Sequence, residues 1–314
     1  MLQTLKDLPL ISAEEVRRQI TPDRARELIE GALVDGYDPA GDPARQHVEA
    51  GSGHLLLMPS AVGRWVGVKV ASVAPDNPRQ GLPRIQAVYV LMDAETLTPR
   101  ALVDGAGLTS LRTPATTAVA CDRLADPEAS HLVVFGSGPQ AMEHVEAVAR
   151  IRQIRSVKLI GRNEGRARVA LDQLSERGHR ATAGRPKDVA EADIVVCATS
   201  SADPVVENSW IRAGAFVAAV GSHQPTRREL PGQLLSRSLV TVEDRETAFR
   251  EAGDIVLAHC EGLLPREGEN LWDLAAVVRG EVTRRQDCPN IFKGTGMSWQ
   301  DLAVVAGLDL EARR

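Results

Sequence analysis

The stretch His131–Ala149, HLVVFGSGPQAMEHVEAVA, reads as a buried strand, a tight turn and a helix in immediate succession. Leu132-Val133-Val134-Phe135 is the continuous apolar run of a parallel strand covered on both faces. Gly136, Gly138 and Ala141 follow at the G-x-G-x-x-G/A spacing. In that spacing the first glycine permits the turn, the second lets backbone approach a pyrophosphate, and the small third residue lets helix pack on strand. Met142, Val145, Val148 and Ala149 then recur at helical intervals. A helix start offers unpaired N–H groups and partial positive charge to such an anion. The flanking strand and helix separate a dinucleotide-binding turn from a Gly-rich turn that binds nothing.

Downstream the alternation continues. Strands are expected at Leu132–Phe135, Val157–Ile160, Ile194–Ala198, Phe216–Val220 and Leu239–Val242, with helices between them as at Gly165–Arg177. That is a doubly wound parallel sheet of Rossmann type. The tail then runs Phe292-Lys293-Gly294-Thr295-Gly296 into a last helix, Ser298–Ala306.

Upstream the pattern differs. Ser12-Ala-Glu-Glu15 is a capping box for a short helix ending near Ile20. Thr21-Pro22 starts a second helix, whose stripe is Ala25, Leu28, Ile29, Ala32 and Leu33 and which Gly36 ends. Residues 37–52 read as a loop containing Arg45. Three strand-like runs, His54–Met58, Trp65–Val73 and Ile85–Asp93, follow with no helix between, so they form an antiparallel or mixed sheet. In the middle run Val66, Val68 and Val70 face one way and Gly67, Lys69 and Ala71 the other. A shorter run, Arg100–Val103, leads to a long helix, Leu108–Leu124.

The expected fold is therefore α/β. A mixed α+β substrate-binding and dimerisation domain takes 1–120 with 297–314, and a Rossmann doubly wound domain for NAD(P) takes 121–296. Ligands of such sheets bind at the carboxyl ends of the strands, so the active site is expected in the cleft between the two portions. The 314 residues exceed most single cores, which fits two domains. A net charge of −5 gives no basic footprint for nucleic acid, and no apolar run reaches membrane length. The four cysteines share no metal-ligand spacing, so no metal is expected, and they read as reduced thiols of a cytoplasmic protein.

The second strand ends Leu159-Ile160-Gly161-Arg162-Asn163, with no acid at its tip to hold a ribose 2′-OH. Arg162, with Arg166 and Arg168 behind it, suits a 2′-phosphate, which favours NADP(H) over NAD(H). The same arginines also serve to solvate a helix start, and Glu164 is the residue that argues for NAD(H). Lysines number five against 32 arginines, so each lysine's setting counts. Lys69 on a strand, Arg45 in a loop and Arg112 in a helix are anonymous singly, but together two arginines and a lysine bind a carboxylate. His223, in Gly221-Ser-His-Gln-Pro225 after the strand Phe216–Val220, is either an acid/base group or a loop histidine exposed to water.

An ordered set of short motifs runs along nearly the whole chain. It comprises Met58-Pro59-Ser60, Gly67-Val-Lys69-Val, Gly81-Leu-Pro83, Leu91-Met-Asp93-Ala-Glu-Thr96, Leu108-Thr-Ser-Leu-Arg112-Thr113 and Gly136-Ser-Gly138-Pro-Gln140-Ala141. Ala198-Thr199-Ser200 with Pro204, Arg228-Glu229-Leu230, and Ile291-Phe-Lys293 with Gly296 and Asp301 complete it. The set resembles the ornithine cyclodeaminase and μ-crystallin family, whose members include ornithine cyclodeaminases, alanine dehydrogenases, ketimine and iminosuccinate reductases and opine-like synthases. The resemblance implies a homodimer joined through the N-terminal sheet, with the C-terminal helix packed back on that domain. It implies that Arg45, Lys69 and Arg112 hold the substrate carboxylate, beside Met58. It places the cofactor along Arg112, Thr113, Gly136, Ser137, Gly138, Pro139, Gln140, Arg162, Asn163, Thr199, Ser200, Val220, Lys293 and Gly296.

Two departures matter. Cyclodeaminases carry Asp where this chain has His223, and a histidine supplies no fixed negative charge to an ammonium. They also carry an acid where this chain has Gly161-Arg162-Asn163, which resembles the NADPH-using μ-crystallin side. Arg84 stands where relatives often have Thr or Ser, and its place is not legible. The expected activity is NAD(P)H-dependent reduction of an imino acid, or of a 2-oxo acid plus amine, to an amino acid, with Lys69 and His223 as catalytic groups. The alternatives are an NAD-dependent ornithine cyclodeaminase and a non-enzymatic NADPH or small-molecule binder of μ-crystallin type.

Overall fold

The computed structural model describes residues 8–266 and 270–310. The chain divides into two compact units, residues 1–115 with 297–314 and residues 116–296, and the division falls inside a helix, Gly105–Leu124.

The first unit is built on a six-stranded sheet. Its elements are β1 Leu10–Ile11, α1 Ala13–Gln19, α2 Pro22–Val34, β2 Gln46–Ala50, β3 Gly53–Val62, β4 Trp65–Val73, β5 Ile85–Asp93, β6 Pro99–Asp104 and α3 Gly105–Leu124. The strand order is β1-β6-β5-β4-β3-β2, antiparallel except for the β1–β6 pair. The two helix starts form as the sequence dictates. The Ser12 hydroxyl accepts from Glu15 N at 3.2 Å and the Thr21 hydroxyl from Arg24 N at 3.1 Å. Gly36, past the end of α2, takes φ +92°, a conformation that glycine reaches at little cost.

Residues 37–52, expected as a loop, contain the strand β2. All five of its residues are exposed, so no alternation of apolar and polar side chains announces it. In β4 the face bearing Gly67, Lys69 and Ala71 is the buried one, while Val66, Val68 and Val70 are half-buried. The buried face is covered by α10 Ser298–Val305, all eight residues of which are buried, and α10 also packs on α2.

The second unit holds β7 His131–Phe135, α4 Pro139–Ile151, β8 Ser156–Ile160, α5 Glu164–Glu176, β9 Ala181–Ala183, β10 Ile194–Cys197, β11 Phe216–Ala219, α6 Gly232–Ser236 and β12 Leu239–Val242. It continues with α7 Arg245–Glu251, α8 Gly253–Cys260, β13 Leu271–Asp273, α9 Leu274–Val278 and β14 Asn290–Lys293. Its eight strands are all parallel in the order β13-β12-β14-β11-β10-β7-β8-β9. The chain leaves β7 toward β8 on one side and returns to β10 on the other, and ligands bind at such a switch point. Phe292 and Lys293, which no strand signal marks in the sequence, belong to β14, buried between β11 and β12. Among the described residues no helix is long and apolar enough to cross a membrane.

Candidate functional site

In the first unit the sheet and α10 bring charged side chains together in a dry place. Lys69 lies on the buried face of β4, directly opposite Met58 of β3 in the strand register. Its ammonium donates to Asp301 Oδ2 at 2.6 Å and to the Thr109 hydroxyl at 3.2 Å. Arg112, on α3, donates through Nε to Asp301 Oδ1 at 3.0 Å and through Nη1 to Gln300 Oε1 at 3.1 Å. Lys69 and Arg112 are 2% and 4% exposed and Asp301 is 0% exposed, so two buried cations share one buried carboxylate.

Burial pushes the Lys69 ammonium down to about 8. The Asp301 charge opposes that shift, while the charges of Arg112 and Arg45 add to it. Burial acts to raise the Asp301 carboxyl, but Arg112 and Lys69 outweigh it and hold it below the usual carboxylate range. Arg45 is half-buried immediately before β2, close enough for its charge to act on Lys69. The field at the Lys69 ammonium is thus positive from two arginines and negative from one aspartate, an arrangement that a carboxylate ligand balances. Asp301 and Gln300 were not among the expected site residues. Their signal was polarity inside an otherwise apolar helix, Trp299-Gln300-Asp301-Leu302.

In the second unit the turn after β7 has the conformation that its spacing predicts. Gly136 has φ +122°, and a Cβ there would stand 2.4 Å from the Ala198 carbonyl oxygen, so only glycine fits. Gly138 caps α4 with no side-chain hydrogen bond, Pro139 is the first helical residue, and space beside Gly138 is open. Gln140 Oε1 is buried with no partner among the described residues. An open glycine at a helix start with no side-chain cap fits a dinucleotide pyrophosphate, which accepts from the unpaired N–H groups there. Ser137 is half-buried in the same turn.

At the end of β8, Arg162 is exposed, and the Asn163 side chain accepts from Arg166 N at 2.9 Å as the cap of α5. Thr113, beside Arg112 on α3, and Val220, at the end of β11, are half-buried, and Ser200 is exposed. Val220 N donates to Cys197 O at 2.9 Å.

Beneath the loops that follow β10 and β11 lies a buried charged set. Glu229, fully buried, accepts from Thr199 N and the Thr199 hydroxyl at 2.7 Å and, on its other oxygen, from Gly221 N at 2.7 Å. A Cβ at Gly221 would meet the Thr199 carbonyl oxygen at 2.0 Å, so the two loops touch backbone to backbone. Asp254 accepts from Glu229 N and Leu230 N, both at 2.8 Å, and pairs with the Lys293 ammonium at 3.1 Å. Lys293 also donates to Ser222 O at 2.6 Å, next to half-buried His223. Burial pushes Glu229 up to about 7, against the pull of Lys293, and Asp254 adds to the rise. Glu243 accepts from Thr295 N and Gly296 N at 2.7 and 3.0 Å. Lys293 and Gly296 are therefore tied to acids of their own unit; Glu229 is visible in the sequence as part of a motif, and Asp254 carries no sequence signal.

An alanine dehydrogenase of Archaeoglobus fulgidus is 30% identical over 298 residues, covering 94% of this chain and 92% of the relative. A Delta(1)-pyrroline-2-carboxylate reductase of Bacillus cereus is 33% identical over 257 residues, covering 79% of this chain and 78% of the relative. The structure of Thermococcus litoralis Delta(1)-pyrroline-2-carboxylate reductase in complex with NADH and L-proline superposes with a TM-score of 0.89 at 28% identity, over 96% of each chain. These relatives are enzymes of amino and imino acid metabolism. The family model for the ornithine cyclodeaminase/mu-crystallin family matches residues 10–308, and this chain belongs to that family.

Proposed function

We propose that this protein is an NAD(P)H-dependent reductase that converts an imino acid, or a 2-oxo acid with an amine, to an amino acid. The observation that carries the reading is the Lys69–Asp301–Arg112 set, a dry cationic site built for a carboxylate. When bound, the reduced nicotinamide supplies a hydride equivalent to the imine carbon. Arg112 and Arg45 hold the substrate carboxylate by charge-assisted hydrogen bonds, with buried Met58, opposite Lys69 in the strand register, as apolar wall. Lys69, protonated below about 8, donates a proton or hydrogen bond to the substrate. Asp301 positions both cations. In the second unit Gly136 to Gln140 receive the pyrophosphate, and Glu229 fixes the Thr199 and Gly221 loops. His223, half-buried after β11, acts in this reading as a second proton-transfer group.

The same reading favours NADP(H), because β8 ends without an acid and Arg162 is exposed beside its tip. It also includes a homodimer through the outer face of the first unit's sheet. There Leu55, Leu57, Val66, Val68, Val70 and Val90 are half-buried and Val88 is 40% exposed.

The test is nicotinamide absorbance over time with purified protein, NADPH or NADH, and a panel of imino acids. The panel includes Δ1-pyrroline-2-carboxylate and pyruvate with ammonia. Steady loss of reduced cofactor is expected, with NADPH the better donor and that preference lost in Arg162→Ser. No loss with any member, together with proline formed from L-ornithine at constant NAD, would make the protein a cyclodeaminase instead.

A further inference from the structure

The hairpin of β2 and β3 carries a cluster that the proposed reaction does not use. His47 and Glu49 stand two apart on β2, so both side chains leave the same face. Glu49 is paired directly with His54 of β3. Such cross-strand pairs hold their Cβ atoms about 5 Å apart, within mutual reach. Each of the three side chains offers one ligand atom, and these atoms lie within 4.8 Å of one another. His47 Nδ1 is 3.6 Å from Glu49 Oε1, and the two imidazole rings stack with centroids 4.0 Å apart. A tetrahedral ion with bonds of about 2.1 Å has ligand-to-ligand edges of about 3.4 Å. His47 and Glu49 therefore already sit close to one edge of a coordination shell.

Burial lowers the proton affinity of His54, the neighbouring His47 lowers it further, Glu49 opposes, and Arg84 adds to the lowering. Arg84, a residue whose place the sequence did not reveal, lies close enough for its charge to act on His54, and Glu49 opposes it.

We propose that His47, Glu49 and His54 form a binding site for a divalent transition-metal ion of the Zn2+ type. Two imidazoles and one carboxylate are borderline ligands that suit Zn2+, whereas Mg2+ and Ca2+ take oxygen donors. Three protein ligands leave a fourth position for water. The ion ties β2, an exposed edge strand, to β3. Arg45 immediately precedes β2, so occupancy stiffens the backbone that carries it. That consequence rests on the reductase reading, while the site itself does not.

The test is a calorimetric titration of the chelator-treated full chain with Zn2+ alone, followed by Co2+ as a spectroscopic probe. One equivalent should bind, and release of the ion on adding a chelator should reverse it. His47→Gln and His54→Gln should each weaken it by at least about tenfold, and Cys260→Ser should leave it unchanged. Both histidine variants replace side chains at the surface of a hairpin, and an unaltered melting curve shows that they fold. Absence of stoichiometric binding, binding that survives the double variant, or a Co2+ spectrum with thiolate charge transfer would overturn the proposal. Because the titration reads binding without turnover, its failure is distinct from failure of the reductase reading.

Discussion

Lys69 shows how far one residue can be read from sequence. A lysine alternating with valines on a strand sits on one of two faces, and the pattern alone does not say which face is buried. In the structure its face is the dry one, because α10 covers it from a distance of 232 residues along the chain to Asp301. The polarity of Gln300 and Asp301 in an apolar helix marks them locally, but their partners Lys69 and Arg112 lie far off along the chain, so the pairing itself is not legible. The account predicts that Lys69→Met lowers turnover by about 10² to 10⁴ while the dissociation constant for reduced cofactor stays near wild type. It also predicts a pH profile. Lys69 is the proton or hydrogen-bond donor only while protonated, so kcat/KM should fall as pH rises through about 8. Steady-state kinetics across pH, alongside cofactor titration of the variant, measures both.

The strand–turn–helix unit of β7 and α4 was legible because each part signals locally: an apolar run, a glycine spacing and a 3.6-residue period. The exposed strand β2 and the inserted strand β14 were not. The first lacks an apolar face, and the second is four residues long and takes its place in the sheet from neighbours β11 and β12. Two buried titratable groups on elements of the second unit oppose each other in acid. His144 of α4 is buried, holds the Thr117 hydroxyl at 2.9 Å and the Gln140 carbonyl at 2.7 Å, and is pushed down to about 4 by burial. It binds its proton less readily folded than unfolded, so its contribution is whole above pH 6.5 and is lost as pH falls toward 4, by about 3 kcal/mol. Glu229 is raised from 4.5 to about 7, so its contribution is whole below pH 4.5 and is lost as pH rises through 7. Relative to wild type, the stability of Glu229→Gln should therefore rise with pH across this window, and that of His144→Asn should fall. Urea unfolding at several pH values reads both slopes. Parallel slopes for the two variants would sink the assignment.

At the scale of the whole molecule, the half-buried valines of β4 are the feature that the sequence displayed but did not explain. Val66, Val68 and Val70, with Leu57 opposite Val70 on one side and Val88 on the other, make an apolar patch on the outer face of a sheet. A charge there should cost association without disturbing the opposite, buried face. Val68→Glu is predicted to halve the mass in light scattering while leaving the melting transition cooperative. An unchanged mass would remove this face from the assembly.

The measurement that tests the central claim most directly uses reduced cofactor labelled with deuterium at nicotinamide C4, with each C4 face labelled in turn, and Δ1-pyrroline-2-carboxylate as substrate. The account predicts proline one mass unit heavier, with the deuterium on Cα, from one labelled face only, and one cofactor consumed for each proline formed. Proline formed without deuterium from either labelled cofactor, or no amino acid from any imino acid of the panel while cofactor binding persists, would contradict it.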